Sequence, residues 1–147
     1  MLLEGIATLS AGLFAGAAIY LNLVEHPARM ECGTELAVTE FAPSYRRATV
    51  MQVALAVVGF LSAAAVWLMG ASVWWLIGGV VFIAVIPFTL IVIFPTNKKL
   101  LDSSLDKSSE LASELLIRWG RLHAVRSILS LIAFVIFIIL LVRNVSA

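Results

Sequence analysis

Polar side chains able to do chemistry are few in this chain, and they recur at matching places along it. Trp119, His123, Arg126 and Ser130 stand at offsets of 0, 4, 7 and 11, which puts them on one face of a helix. A second histidine, His26, follows Glu25 and precedes Pro27. Histidine titrates near neutrality and serves as a proton acceptor or a metal ligand. The arginine beside His123 can hold an anion with its planar fork. The residues therefore suit acid-base work on a small molecule. They also leave room for a different use: His26 and His123 lie at similar depth on different helices, and two axial imidazoles would suit a b-type haem. Glu25 could add a third ligand for a metal. Two amides complete the set. Gln52 lies one turn inside an apolar run, where it would bond across helices. Asn97 follows Pro95 at the end of another run, where it can close the helix and aim its amide inward.

These side chains must be positioned by the apolar remainder. The chain has 147 residues, is 62% hydrophobic and only 13% charged, against roughly 45–50% and 25% in soluble domains. A soluble fold of this size has too little interior to hide so much apolar surface. The net charge of +1 argues against nucleic-acid binding. One cysteine, Cys32, permits no intrachain disulfide and no cysteine metal cluster. Four runs reach the roughly 20 apolar residues that a membrane helix needs: 5–24, 48–69, 73–94 and 122–142. They are continuously apolar rather than alternating, so they read as helices and not barrel strands. The head of the first run has no basic residue, so it is not expected to be a cleaved signal.

The expected fold class is all-α, a four-transmembrane-helix up-down-up-down bundle forming one integral membrane domain over 1–147. Gly70-Ala71-Ser72 joins the second and third runs as a tight hairpin, and the longer connections are 25–47 and 95–121. Span one is expected to end or kink at Pro27, Ser44 to cap span two after Pro43, and Pro95-Thr96-Asn97 to end span three. The fourth helix should start near Ser109, because Leu111, Leu115, Trp119 and Leu122 keep helical spacing. Gly12, Gly16, Gly59 and Ala63 offer small-residue contacts between helices. Trp67, Trp74 and Trp75 read as interfacial belt residues. Every Lys and Arg except Arg143 falls on the side of the two long connections. That distribution is expected to put the connections in the cytoplasm and both termini outside, in the inner or plasma membrane if the chain is bacterial. Asn22, Glu25, His26, Arg46, Arg47, Gln52, Asn97 and the Trp119–Ser130 stripe all gather at this cytoplasmic side.

Glu25-His26-Pro27, Tyr45-Arg46-Arg47 with Gln52, Pro95-x-Asn97 and Trp119-Gly120-Arg121-Leu122-His123-Ala124-Val125-Arg126 together resemble the membrane anthrone oxygenase family. The resemblance spans nearly the whole chain. The Trp-x-x-x-His-x-x-Arg element with Pro-x-Asn carries it, and His-Pro alone is weak. It implies small four-helix membrane proteins whose characterised fungal members oxidise anthrones to anthraquinones with molecular oxygen, with no metal or organic cofactor established for them. It makes His26, Asn97, Trp119, His123 and Arg126 site residues. On this reading the protein is an oxygenase or oxidoreductase acting on a lipophilic aromatic, anthrone- or quinol-like. His123 and Arg126 are catalytic; His26, Gln52, Asn97 and Trp119 bind substrate. A base generates an electron-rich anion that reacts with oxygen, and the arginine stabilises it. The partners are the lipid bilayer, a lipophilic aromatic small molecule, and a second copy or another membrane-complex subunit. The alternatives are an accessory subunit of a membrane complex and the bis-His b-type haem protein. Transport fits less well, because no ionisable residue lies near the midplane of a span.

Overall fold

The computed structural model describes residues 1–145. It consists of four long helices, each long and apolar enough to cross a membrane: α1 (Leu2–Glu31), α2 (Thr34–Leu68), α3 (Trp74–Leu100) and α4 (Glu110–Val145). Each packs on its neighbours in sequence, and α4 closes the ring against α1, giving the up-down-up-down bundle. The packing is made by small residues. A Cβ at Gly12 would lie 2.7 Å from Phe134, and one at Gly59 would lie 2.6 Å from Phe82. Gly16 faces open space, so it takes no part in the contact expected of it. The α2–α3 hairpin turns at Gly70, whose φ of 94° is left-handed. There the Gly70 amide donates to the Trp67 carbonyl and the Ala71 amide to the Val66 carbonyl, a Schellman closure.

The helices run well beyond the apolar runs, and prolines do not stop them as expected. In α1 the residues Leu21–Glu25 form a π turn, and the His26 amide reaches back to the Leu21 carbonyl. Pro27 lacks an N–H and its ring crowds the carbonyl four residues back. The wider π turn takes up that conflict, so the helix continues to Glu31 rather than ending at the proline. The same device recurs in α3: Thr89–Ile93 is a π turn that precedes Pro95 by two residues, and the helix proceeds to Leu100. Pro43 lies inside the unbroken α2 helix, so Ser44 is a mid-helix residue and not its cap. Proline there costs about 3 kcal/mol; burial of Ala37, Val38 and Phe41 in the same segment offsets it. As a result α1 and α2 are joined by only Cys32 and Gly33, the latter at φ 99°. Arg29 ties the two together, its Nε 2.9 Å from a Glu40 oxygen and its NH2 3.5 Å from Glu25. The fourth helix starts as expected, with the Ser109 hydroxyl accepting the Ala112 amide.

Two apolar clusters fill the bundle. One contains Ala11, Phe14, Ala56, Trp75, Phe82 and Phe137; the other, at the end rich in Lys and Arg, contains Phe41, Ile93, Leu116 and Trp119. Trp75 is fully buried and stacks on Phe137 at 5.3 Å, so it is a core residue; Trp67 and Trp74 stay exposed. Asn22 of α1 bonds His123 and Ser127 of α4, and Gln52 of α2 bonds Arg126, where Phe14 of the first cluster and Trp119 of the second meet these residues; chemistry can occur there.

Candidate active site

The π turn of α1 presents Asn22 and, one turn on, His26 to the backbone of α4. Both meet it at Gly120. Asn22 Nδ2 donates to the Gly120 carbonyl at 3.0 Å. A Cβ at Gly120 would lie 2.6 Å from His26 Nε2, so only glycine lets the two helices approach this closely. With its Nδ2 so engaged, Asn22 turns Oδ1 toward α4. That oxygen accepts from Ser127 Oγ at 2.6 Å and from His123 Nδ1 at 2.8 Å. An amide oxygen cannot donate, so His123 must carry its proton on Nδ1. Its Nε2 keeps a free lone pair, the form a general base needs.

Arg126 stands one turn beyond on the same helix. Its NH2 donates to Gln52 Oε1 at 2.7 Å, and its guanidinium carbon lies 5.5 Å from the Phe14 ring centre. Its Nε is buried without a hydrogen-bond partner. Among the described residues no carboxylate pairs with it. A cation held by a neutral amide and an aromatic face, with a donor left over, can accept an anion.

Tyr45, Thr49, Gln52 and Arg126 line two cavities in common. The inner one, of about 20 Å³, is lined by Arg29, Tyr45, Gln52, Trp119, His123 and Arg126 among others. That is room for one water. The outer one, of about 70 Å³, lies between α2 and α3. Trp119 packs against both histidines, at 4.8 Å from His123 and 5.3 Å from His26, and edge-on against Phe41.

Four of the six residues expected to form the site therefore surround one small space: Gln52, Trp119, His123 and Arg126. His26 joins them through Trp119 and lies 8% exposed with Nδ1 unbonded. Asn97 is 1% exposed with neither amide atom bonded, and it lines neither cavity. His26 Nε2 lies so close to α4 that a Cβ on Gly120 would sit 2.6 Å from it, which leaves little room on that side for the iron of a bis-His haem. Among the described residues no group of three or more His, Cys, Asp or Glu is placed to hold a metal ion. Sequence reasoning missed the parts played by Asn22, Ser127 and Gly120. Their spacing offered a clue: Asn22 stands one turn before His26, and Ser127 one turn after His123.

No solved structure matches the chain. An anthrone oxygenase of Aspergillus fumigatus (tpcL) is 26% identical over 143 residues, covering 90% of this chain and 89% of the relative. The family model described as anthrone oxygenase matches residues 41–136, a stretch that holds Gln52, Asn97, Trp119, His123 and Arg126. The chain belongs to the anthrone oxygenase family.

Proposed function

We propose that this chain is a membrane-embedded oxygenase that oxidises a lipophilic, anthrone- or quinol-like aromatic with molecular oxygen and no cofactor. The observation that carries the reading is the pairing of a histidine with a free Nε2 and an arginine without a carboxylate, side by side on one rigid helix. For an anthrone the steps follow from these two groups. His123 Nε2 removes a proton from the ring methylene, and the charge moves to the carbonyl oxygen, which Arg126 stabilises. The carbanionic carbon joins O₂ to give a peroxide anion. The proton returns from His123 to make the hydroperoxide. Removal of the second methylene proton expels hydroxide, which leaves as water. One O₂ is consumed, one oxygen atom becomes the new carbonyl, and the other departs as water. Trp119, Gln52 and Tyr45 line the small space beside these two groups, which must widen to admit a ring; His26 packs on Trp119.

The basic end is assigned to the cytoplasm by the distribution of Lys and Arg, with both termini outside. A reporter fused after Ala147 is expected to be active only outside the cytoplasm. The functional reading is tested by reconstituting the purified protein in liposomes with a dihydroxyanthrone under ¹⁸O₂. One labelled oxygen should appear in the anthraquinone and one in water, at a rate well above protein-free liposomes. A rate equal to that of the liposomes alone overturns the proposal.

A further inference from the structure

The outer cavity has a built end and an open end. At its inner end stand Phe14, Gln52 and Arg126; at its rim stand Val53, Ile86 and Leu90. Val53 is 41% exposed and Leu90 62%, so the rim lies on the apolar outer surface of the bundle rather than at either polar end. The opening has a structural cause. α2 and α3 pack closely along Trp74–Ile83 and more sparsely along Val85–Phe88 and Phe94–Leu100. There Pro87 and the π turn Thr89–Ile93 interrupt the regular helix, and the Thr89 hydroxyl bonds the Val85 carbonyl at 2.6 Å. Pro87 leaves the carbonyl four residues back without its usual donor, and the turn lies next to the mouth.

Size and charge identify what fits. The cavity's 70 Å³ is far below the roughly 300 Å³ of a pocket that engulfs a drug-sized ligand. It admits the head of a molecule whose remainder stays outside. Outside is apolar surface, so the remainder must be lipophilic. At the inner end the ligand's head meets a guanidinium with a spare buried donor and the face of Phe14. An aromatic ring bearing an acidic hydroxyl satisfies both: its edge packs on Phe14 and its oxygen accepts from Arg126.

We infer that the cleft between α2 and α3 is a lateral portal through which a lipophilic phenol passes from the bilayer to Arg126. The inference rests on reading the site as one for a lipophilic aromatic. It adds the route, the residues of the rim and the requirement for a hydroxyl at the leading end. Gln52 then acts as a positioning residue: it lines both cavities and holds Arg126 by a 2.7 Å bond, and an incoming oxygen takes its place on the guanidinium.

The test uses the full chain in phosphatidylcholine vesicles and a 4-alkylphenol carrying a diazirine in its alkyl chain. After irradiation the labelled residues are mapped by mass spectrometry. Labelling should concentrate at 49–53 and 86–90. Leu90→Trp or Val53→Trp should remove most of it, while Ile128→Trp, on an exposed face of α4, should not. Arg126→Gln should weaken capture roughly tenfold or more, as loss of a charge-assisted hydrogen bond does. The matching alkyl anisole should label the rim poorly. Label confined to other surfaces, or label at the rim unaffected by both tryptophan variants, overturns the portal. Equal competition by a fatty acid of similar length overturns the phenol as its occupant. Labelling needs no turnover, so a labelled portal in a protein that consumes no oxygen refutes the oxygenase reading alone. Oxygen consumption without label at the rim refutes the portal alone.

Discussion

Replacing Asn22 with alanine removes three hydrogen bonds and changes the chemistry of a residue on another helix. Asn22 accepts from His123 and Ser127 and donates to Gly120. In Asn22→Ala the Ser127 hydroxyl can fall back on the His123 carbonyl, already 3.4 Å away. The His123 Nδ1–H has no such substitute, and an orphaned buried donor costs about 1–3 kcal/mol. With the lost bond to Gly120, the variant should be less stable by about 2–4 kcal/mol. The larger consequence is for the proton on His123. Nothing then holds it on Nδ1, and the Nε2–H tautomer, which cannot act as base toward the cavity, becomes populated. Two measurements check this: unfolding in detergent, and ¹⁵N NMR of the labelled imidazole. Asn22→Asp separates the two effects, because it keeps the acceptor for His123 while losing the donor to Gly120. Wild-type stability in Asn22→Ala, or a wild-type His123 protonated on Nε2, would refute the reasoning.

Other variants probe the frame. Gly12→Leu should destabilise the bundle markedly, because even a Cβ there would meet Phe134 at 2.7 Å, whereas Gly16→Leu should leave the melting curve nearly unchanged; the reverse order would show that α1 is rotated. Gly120→Ala forces His26 away from α4 and should cost about 1–3 kcal/mol of overpacking, read as a lower melting temperature. Asp102 and Asp106 each take the amide and hydroxyl of the serine two residues on, and these bonds hold both carboxyls below the usual range. Because their folded pKa lies below the unfolded one, the stability they add is present above about pH 4 and lost as pH falls further. Carboxyl ¹³C titration should give midpoints below the ordinary value of about 3.9, and midpoints at or above it would contradict the loop geometry.

The bundle could be read from the sequence because its signal is coarse: four runs of about 20 apolar residues admit few other folds. The stripe Trp119, His123 and Arg126 was equally legible, since a continuous helix carries its spacing directly into space. What could not be read was local and relational. Pro27, Pro43 and Pro95 look like stops in one dimension, yet packing holds the helix through each, twice by widening it to a π turn. Trp75 differs from Trp74 only in the face it occupies, and one is core while the other is exposed. Asn22 was visible as a polar residue, but its task depends on Gly120, nearly one hundred residues on, letting the helices touch. Asn97 is buried, but the helix runs on past it to Leu100, and nothing in the spacing told that its amide would be left unbonded.

The central claim is that His123 is the base and Arg126 the anion partner of an oxygen-dependent reaction. Its most direct test is the initial rate of dihydroxyanthrone oxidation in proteoliposomes, corrected for protein-free autoxidation, for wild type, His123→Ala and Arg126→Lys. A positioned base contributes roughly 100- to 10,000-fold, so His123→Ala should lose that much turnover while still binding the substrate. Arg126→Lys should also fall, because an ammonium does not reproduce the guanidinium fork. Wild-type rates in both variants would contradict the account.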